Sequence, residues 1–333
     1  MTGYRRDADL SAEASHVSGV LDRLLGEGLI SDGEHRTLSV IYSGRVFSLY
    51  YELQAALYLG VLAFTTGAGV LVYRNAGSLA HLVNNGVLAA MMLACFRYAG
   101  RRRPSFSRGE VERPTPYYDY VLLLGALLFL IVEGYLQNVY GIFGRQWGLA
   151  GAIPAALFFM IAYLFDHRGV LSLGIVSAAS AVGLEVSMPS WYGTNVFPEE
   201  ALIYPAMVFS VCLMAAAFVL DHLEIKRHFT FSYLVWSALI LLTALLAALF
   251  RLDPKPLFFL ILAAVSAGLM AYARRTAGYA FFLMGTAALY VGVTYMIGRV
   301  ADWDPLIWFL YFLASSAGVV VLTIHSVRRS GAG

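Results

Sequence analysis

Glu133 stands in "LLFLIVEGYLQNVYG", residues 127–141, directly after an apolar run. An acidic side chain deep in a bilayer costs about 2.5–3.5 kcal/mol on insertion scales, so such a residue has a partner or a task. Gln137 follows one helical turn later and shares its face. In "AHLVNNG", residues 80–86, His81 and Asn85 share a face at i, i+4, with Asn84 beside them. Glu185, in "VGLEVS", is another carboxylate inside an apolar stretch. A pocket holding Glu133 and Glu185 with these amides and the imidazole could bind a cation, exchange a proton or hold a polar headgroup. The same groups could instead hydrogen-bond one another, or reach an interface by a short snorkel. The residues alone leave both readings open.

Other polar patterns carry less chemistry. The stretch "RYAGRRRPSFSRGEVERP", residues 97–114, contains Arg101, Arg102 and Arg103 in a row. Clustered cations beside a membrane attract anionic lipid by about 1 kcal/mol per near-surface charge. The prolines and serines of this stretch read as a flexible connector. Asp-His pairs recur at 166–167 and 221–222. Adjacent residues on a helix point in different directions, so solvated helix ends are expected there and no metal site. Cys95 and Cys212 lie inside apolar runs, where cysteine acts as a small buried hydrophobe. No phosphate-binding loop, zinc-protease helix or nucleophile elbow occurs. Neither cofactor nor catalytic residue is implied, and an enzyme acting on lipid ranks last among the functions considered.

Positioning such groups falls to helices. The chain of 333 residues is 59% hydrophobic and 13% charged, against about 25% charged in soluble domains. Its net charge of +2 points to no nucleic acid. Apolar runs near 20 residues predict an all-α polytopic bundle. Ten spans are expected, at 54–73, 79–98, 118–138, 147–165, 169–187, 200–220, 230–250, 256–273, 278–298 and 305–326. With both termini cytoplasmic, 18 of the 23 lysines and arginines fall on the inner side. Starting from Tyr118 inside, Glu133 then lies about 22 Å along its helix, in the outer third. His81, Asn84, Asn85, Gln137 and Glu185 fall at comparable depth. The fifth span is rich in small residues, and "MPSWYGTNVFPEE", residues 188–200, reads as a loop along the outer interface.

Residues 1–50 place most of their charge ahead of the first span, and 327–333 form a short cytoplasmic tail behind the 54–326 bundle. No signal-peptide core opens the chain, so no cleavage is expected. Leu24 and Leu25 close one helical pattern, Gly26 and Gly28 stop it, and Ser31 with Glu34 makes a capping box for the next. A helical hairpin is predicted, small enough to need the membrane face, another copy or a partner to bury its surface. "LLGEGLISDGEHRTLSVIY" followed by "YLGVLAFTTGAGVLVYRN" resembles the bacterial membrane family called domain of unknown function 2157, over about 100 residues from Leu21. That resemblance implies a short cytoplasmic segment ahead of a glycine-bearing span and a bacterial cytoplasmic (inner) membrane address. It brings no catalytic residues.

Two functions remain in view. One is a transporter or binder of a small molecule, ion or lipid, using an outer polar pocket; ten spans with both termini inside suit five-plus-five inverted repeats. The other is a non-catalytic membrane subunit that docks a protein partner, or another copy, through residues 1–50. The lipid bilayer is the partner common to both.

Overall fold

The computed structural model describes residues 22–26, 31, 33, 50–74, 78–103, 106–111, 117–144, 146–194, 199–276, 279–301 and 304–330. Side chains at 50–54, 69, 71–74, 78–84, 188–194, 199 and 319–330 are not among those described. The chain divides into two units, residues 1–63 and 64–333. In the first, 22–26 are helical with Leu24 and Leu25 half-buried. Of the rest of the expected hairpin only Ser31, Gly33 and Tyr50 are described, and its other residues, including Glu34, lie outside the described residues.

Every regular element among the described residues is helical. We number the long helices α1 (Tyr50–Arg74), α2 (Ser78–Arg101), α3 (Tyr118–Tyr140), α4 (Leu149–Phe165) and α5 (Arg168–Thr194). They continue as α6 (Glu199–His222), α7 (Thr230–Arg251), α8 (Lys255–Thr276), α9 (Tyr279–Val300) and α10 (Pro305–Ser330). Helices thus form where each apolar run was read. Six described segments are long and apolar enough to cross a membrane: those of α3, α6, α7, α8 and α9, with Arg168–Ser187 of α5. Shorter apolar segments lie at Ala55–Ala68, Leu149–Phe165 and Pro305–Gly318. This is a multi-pass membrane protein, and large apolar side chains such as Leu59, Leu93, Val208, Leu260 and Phe309 stand exposed along the helices. Such a surface requires a lipid solvent.

From α2 onward, consecutive helices pack against one another, with the largest interfaces between α4 and α5, α6 and α7, α8 and α9, and α2 and α3. Half of the apolar window of α3 and of the α7 segment is buried, against 22–33% in the other four. These two are therefore the inner helices. One core joins Leu122 and Ala126 of α3 to Phe158, Ile161 and Ala162 of α4 and to Leu171 and Ile175 of α5. A second gathers α6, α7, α8 and α9 around Leu245, Leu249 and Leu262.

The small residues of the fifth span have a structural use. A Cβ added at Gly151 of α4 would collide with the backbone of Ala181 and Ser177 on α5. Only hydrogen there permits so close a crossing, the device by which membrane helices associate through dispersion. Two expectations change. The helix of α5 runs on to Thr194, so residues 188–194 are helical and not loop. Cys212 is exposed on α6 instead of buried, and Cys95 is half-buried.

Candidate functional site

Glu133 belongs to the stripe Leu122, Ala126, Phe129, Glu133 and Gln137, which recurs every three or four residues down one face of α3. That face meets α4: the Phe129 and Phe158 rings pack edge to face, 5.8 Å between centroids. Because α3 and α4 run antiparallel, one turn beyond Phe129 lies level with one turn before Phe158. Glu133 is therefore level with Pro154, a buried proline inside α4. A proline has no N–H to give to the carbonyl four residues back, so the Ala150 carbonyl lacks its helical donor at this end. Glu133 itself is 8% exposed, and its Oε1 is buried with no hydrogen-bond partner. A buried carboxylate oxygen without a donor is costly unless a proton or a cation arrives.

The other expected ligands fare differently. Gln137 is buried, and its Oε1 accepts the Phe143 amide at 2.9 Å. Its carbonyl accepts the Gly141 amide, with Gly141 in the left-handed conformation at φ 58. Gln137 thus fastens the C-terminal end of α3. Glu185 is exposed on α5, and its Oε2 accepts the Gly148 amide at 3.2 Å, ahead of α4. Asn85 shares a stripe with Leu88, Met92 and Cys95 of α2, facing α3. Gly125 packs against Cys95, which brings Asn85 near the level of Tyr135 and Glu133. Its Oδ1 is buried and has no hydrogen-bond partner. Yet that face meets Leu128, Val132 and Tyr135, and adjacent helix residues such as Val132 and Glu133 diverge by about 100°. Asn85 and Glu133 share a depth, and among the described residues no hydrogen bond joins them. The side chains of His81 and Asn84 lie outside the described residues. Arg101, Arg102 and Arg103 are exposed; Arg102 stacks on Tyr98 at 4.2 Å and Arg103 lies 6.0 Å from the Phe165 ring.

The opposite end of the α3–α4 hairpin carries a polar knot. Asp166 terminates α4 in the left-handed conformation, φ 57, and Lys226 adopts the same region between α6 and α7, φ 49. A non-glycine residue there costs about 1–2 kcal/mol. The two side chains meet: Lys226 Nζ lies 3.0 Å from Asp166 Oδ1, and His228 Nε2 lies 2.6 Å from the same oxygen. Asp166 Oδ2 accepts the Val111 amide at 2.7 Å. Lys226 donates its Nζ to the Gly109 carbonyl at 3.2 Å and its backbone amide to the Arg108 carbonyl at 2.7 Å. Lys226 is 1% exposed. Next to it in the fold, His167 is also buried, with Nε2 3.1 Å from the Asp119 carbonyl and Nδ1 accepting the Val170 amide at 3.0 Å.

The expectation of solvated helix ends therefore fails at Asp166, His167 and His228, while His222 is exposed as expected. The reason is the two-residue corner between α4 and α5. It has no glycine, so Asp166 takes the left-handed turn and both polar side chains fold under the helices. The basic connector is likewise tied down, since residues 108–111 supply three of the knot's backbone groups. The usable signal was the absence of any glycine or proline in "FDHRG" before Gly169. Among the described residues no group of three metal-ligating side chains is assembled.

Residues 22–171 match the family model described as "Predicted membrane protein (DUF2157)". The resemblance read at the N-terminal segment thus extends through α3 and α4, and takes in Glu133, Asp166 and His167, with Lys226 and His228 beyond it. No curated protein and no solved structure matches the chain.

Proposed function

We propose that this membrane protein binds a small polar ligand, a cation or a proton at Glu133, and that it serves as a transporter or binder for it. One observation carries the reading: the buried Oε1 of Glu133, without a donor, on one of the two inner helices. The level of Pro154 supports it, because discontinuous helix bonding offers backbone carbonyls as extra ligands within a bundle. The arginine and lysine distribution supports both termini on the cytoplasmic side of a bacterial inner membrane. The ten long helices are compatible with ten spans on that reading.

The test is flux in proteoliposomes. Wild type and Glu133→Gln would be compared under sodium, potassium and proton gradients, with a trapped pH-sensitive dye for the last. The expected result is a Glu133-dependent flux or dissipation of one gradient, lost in an abundant, folded variant. Equal behaviour of both proteins under all three gradients would remove Glu133 from function.

A second reading is a non-catalytic subunit docking a partner through residues 1–50. It is supported by the compact unit that residues 1–63 make of their own. Deleting residues 1–48 should then release a stoichiometric partner that Glu133→Gln retains.

A further inference from the structure

The polar knot crosses the middle of the chain. Asp166 closes α4, whereas Lys226 and His228 belong to the corner between α6 and α7. Two more hydrogen bonds cross with them, from the Lys226 amide to the Arg108 carbonyl and from its Nζ to the Gly109 carbonyl. Among the described residues, the neighbouring charged pairs stay local: Arg168 with Glu110 on the first side, Arg227 with Asp221 on the second. Packing shows the same division into two halves, α2–α5 and α6–α9. The principal interfaces inside the halves, α4 with α5 and α6 with α7, exceed those that α5 makes across the boundary with α6 and α7.

Rings fill the seam beside the knot. Phe159 of α4 stacks on Tyr233 of α7 with centroids 6.4 Å apart, and Tyr163 meets Phe229 edge to face at 5.3 Å. The Tyr163 and Tyr233 hydroxyls lie 3.2 Å apart. Charged groups and then rings thus shut α4 against α7 at one end. From Pro154, level with Glu133, to Asp166 the chain rises about 18 Å at 1.5 Å per residue. The closure stands well to one side of the Glu133 level, at the end proposed as cytoplasmic.

Two features suit a clasp that parts. The described non-glycine residues in the left-handed region, Asp166, Glu224 and Lys226, all sit at this end. Such strain persists only where the surroundings enforce it, and it gathers at clamps and switches. A buried ion pair is also a weak fastener, because the lost hydration of its charges offsets most of their attraction. Parting the halves returns both charges to water together, whereas deleting one partner strands the other. The closed arrangement is therefore specific without being deep.

We propose that the knot of Asp166, Lys226 and His228 is the inner gate of the Glu133 site, holding α2–α5 to α6–α9 at one end and parting to let the ligand through. It rests on Glu133 as the binding residue, since alternating access moves one bundle against another around a fixed site. Parting leaves the Val111 amide on Asp166, within one half, but breaks the bond from the Lys226 amide across the boundary. In the full-length wild type, hydrogen exchange read residue by residue should therefore find Lys226 about tenfold less protected than Val111. Equal protection would mean that the connector loosens as a whole, and overturns the proposal.

Spin-label distances test the motion itself. Tyr117→Cys with Arg275→Cys reports the gated end and Tyr140→Cys with Val300→Cys the other, all exposed positions, with Cys95→Ala and Cys212→Ala in the background. Asp166→Asn with Lys226→Met opens the knot without stranding a charge. It should add a population about 5 Å longer at the first pair and none at the second. An unchanged first distance in the folded double variant overturns the gate, and so does equal lengthening at both ends. Where the double variant does not fold, exchange in the wild type decides. Neither readout involves flux, so failure of the gate shows here, and failure of the Glu133 reading shows only in the flux of Glu133→Gln.

Discussion

Asp166 and Glu133 are both buried carboxylates at opposite ends of one helical hairpin, and their surroundings could hardly differ more. Asp166 receives two cationic or imidazole donors on one oxygen and an amide on the other, from two separate chain segments. Glu133 has an oxygen that receives nothing. Burying a charge is tolerable when its partners come with it, and removing one partner then strands the other. A buried carboxylate oxygen without a donor has no such compensation for its lost hydration. The first arrangement ties segments together, and the second is the observation on which the binding proposal rests. Deep burial alone would have ranked the two alike.

The comparison can be broken most directly at Asp166. Asp166→Asn leaves Lys226 buried without its counter-charge, and a loss of about 3–5 kcal/mol is expected. Thermal unfolding of the detergent-solubilised protein would measure it, and a loss below about 1 kcal/mol would make the knot superficial. Adding Lys226→Met removes the stranded charge, so the double variant should lose less than the two single changes together. Next in size is Gln137→Ala, which takes the acceptor from the Phe143 amide and should cost about 1 kcal/mol. Faster hydrogen exchange at Phe143 is the readout, and unchanged exchange would refute the fastening role.

Glu133→Gln sharpens the contrast by its sign. It removes a buried charge that holds no partner on Oε1, so stability should stay level or rise by up to about 1 kcal/mol, while gradient-coupled flux disappears. A clear drop in stability would instead place Glu133 in the same structural class as Asp166. The smallest effect belongs to Glu185→Ala. That side chain is exposed and bonds only the Gly148 amide among the described contacts, so a change within about 0.5 kcal/mol is expected. Flux dependent on Glu133 should survive it; loss of that flux would return Glu185 to the binding site.

The helical architecture was legible because its signal is local. Each run from "YVLLLGALLFLIV" to "PLIWFLYFLASSAG" is apolar over enough residues to require internal backbone bonding in lipid, and a helix forms in each. The burial of Glu133 was not legible in the same way, since a carboxylate in the outer third of such a run could equally have snorkelled to the interface. The sharing of faces was legible: Glu133 and Gln137 do lie on one stripe of α3.

What sequence spacing could not supply was the choice of partner across helices. Depth placed Asn85 level with Glu133, but whether the two pair depends on how α2 is rotated against α3, and among the described residues no hydrogen bond joins them. Glu185 was expected in the same pocket, yet α5 crosses α4 so closely at Gly151 that its carboxylate reaches the Gly148 amide instead. The knot of Asp166, Lys226 and His228 was hidden for a related reason. Sixty residues separate its acid from its base, and each lies in a charged corner that reads as solvated. Hydropathy is a property of a segment and survives in the sequence. The pairing of polar groups is set by the rotation and crossing of whole helices, and exists only once they have packed.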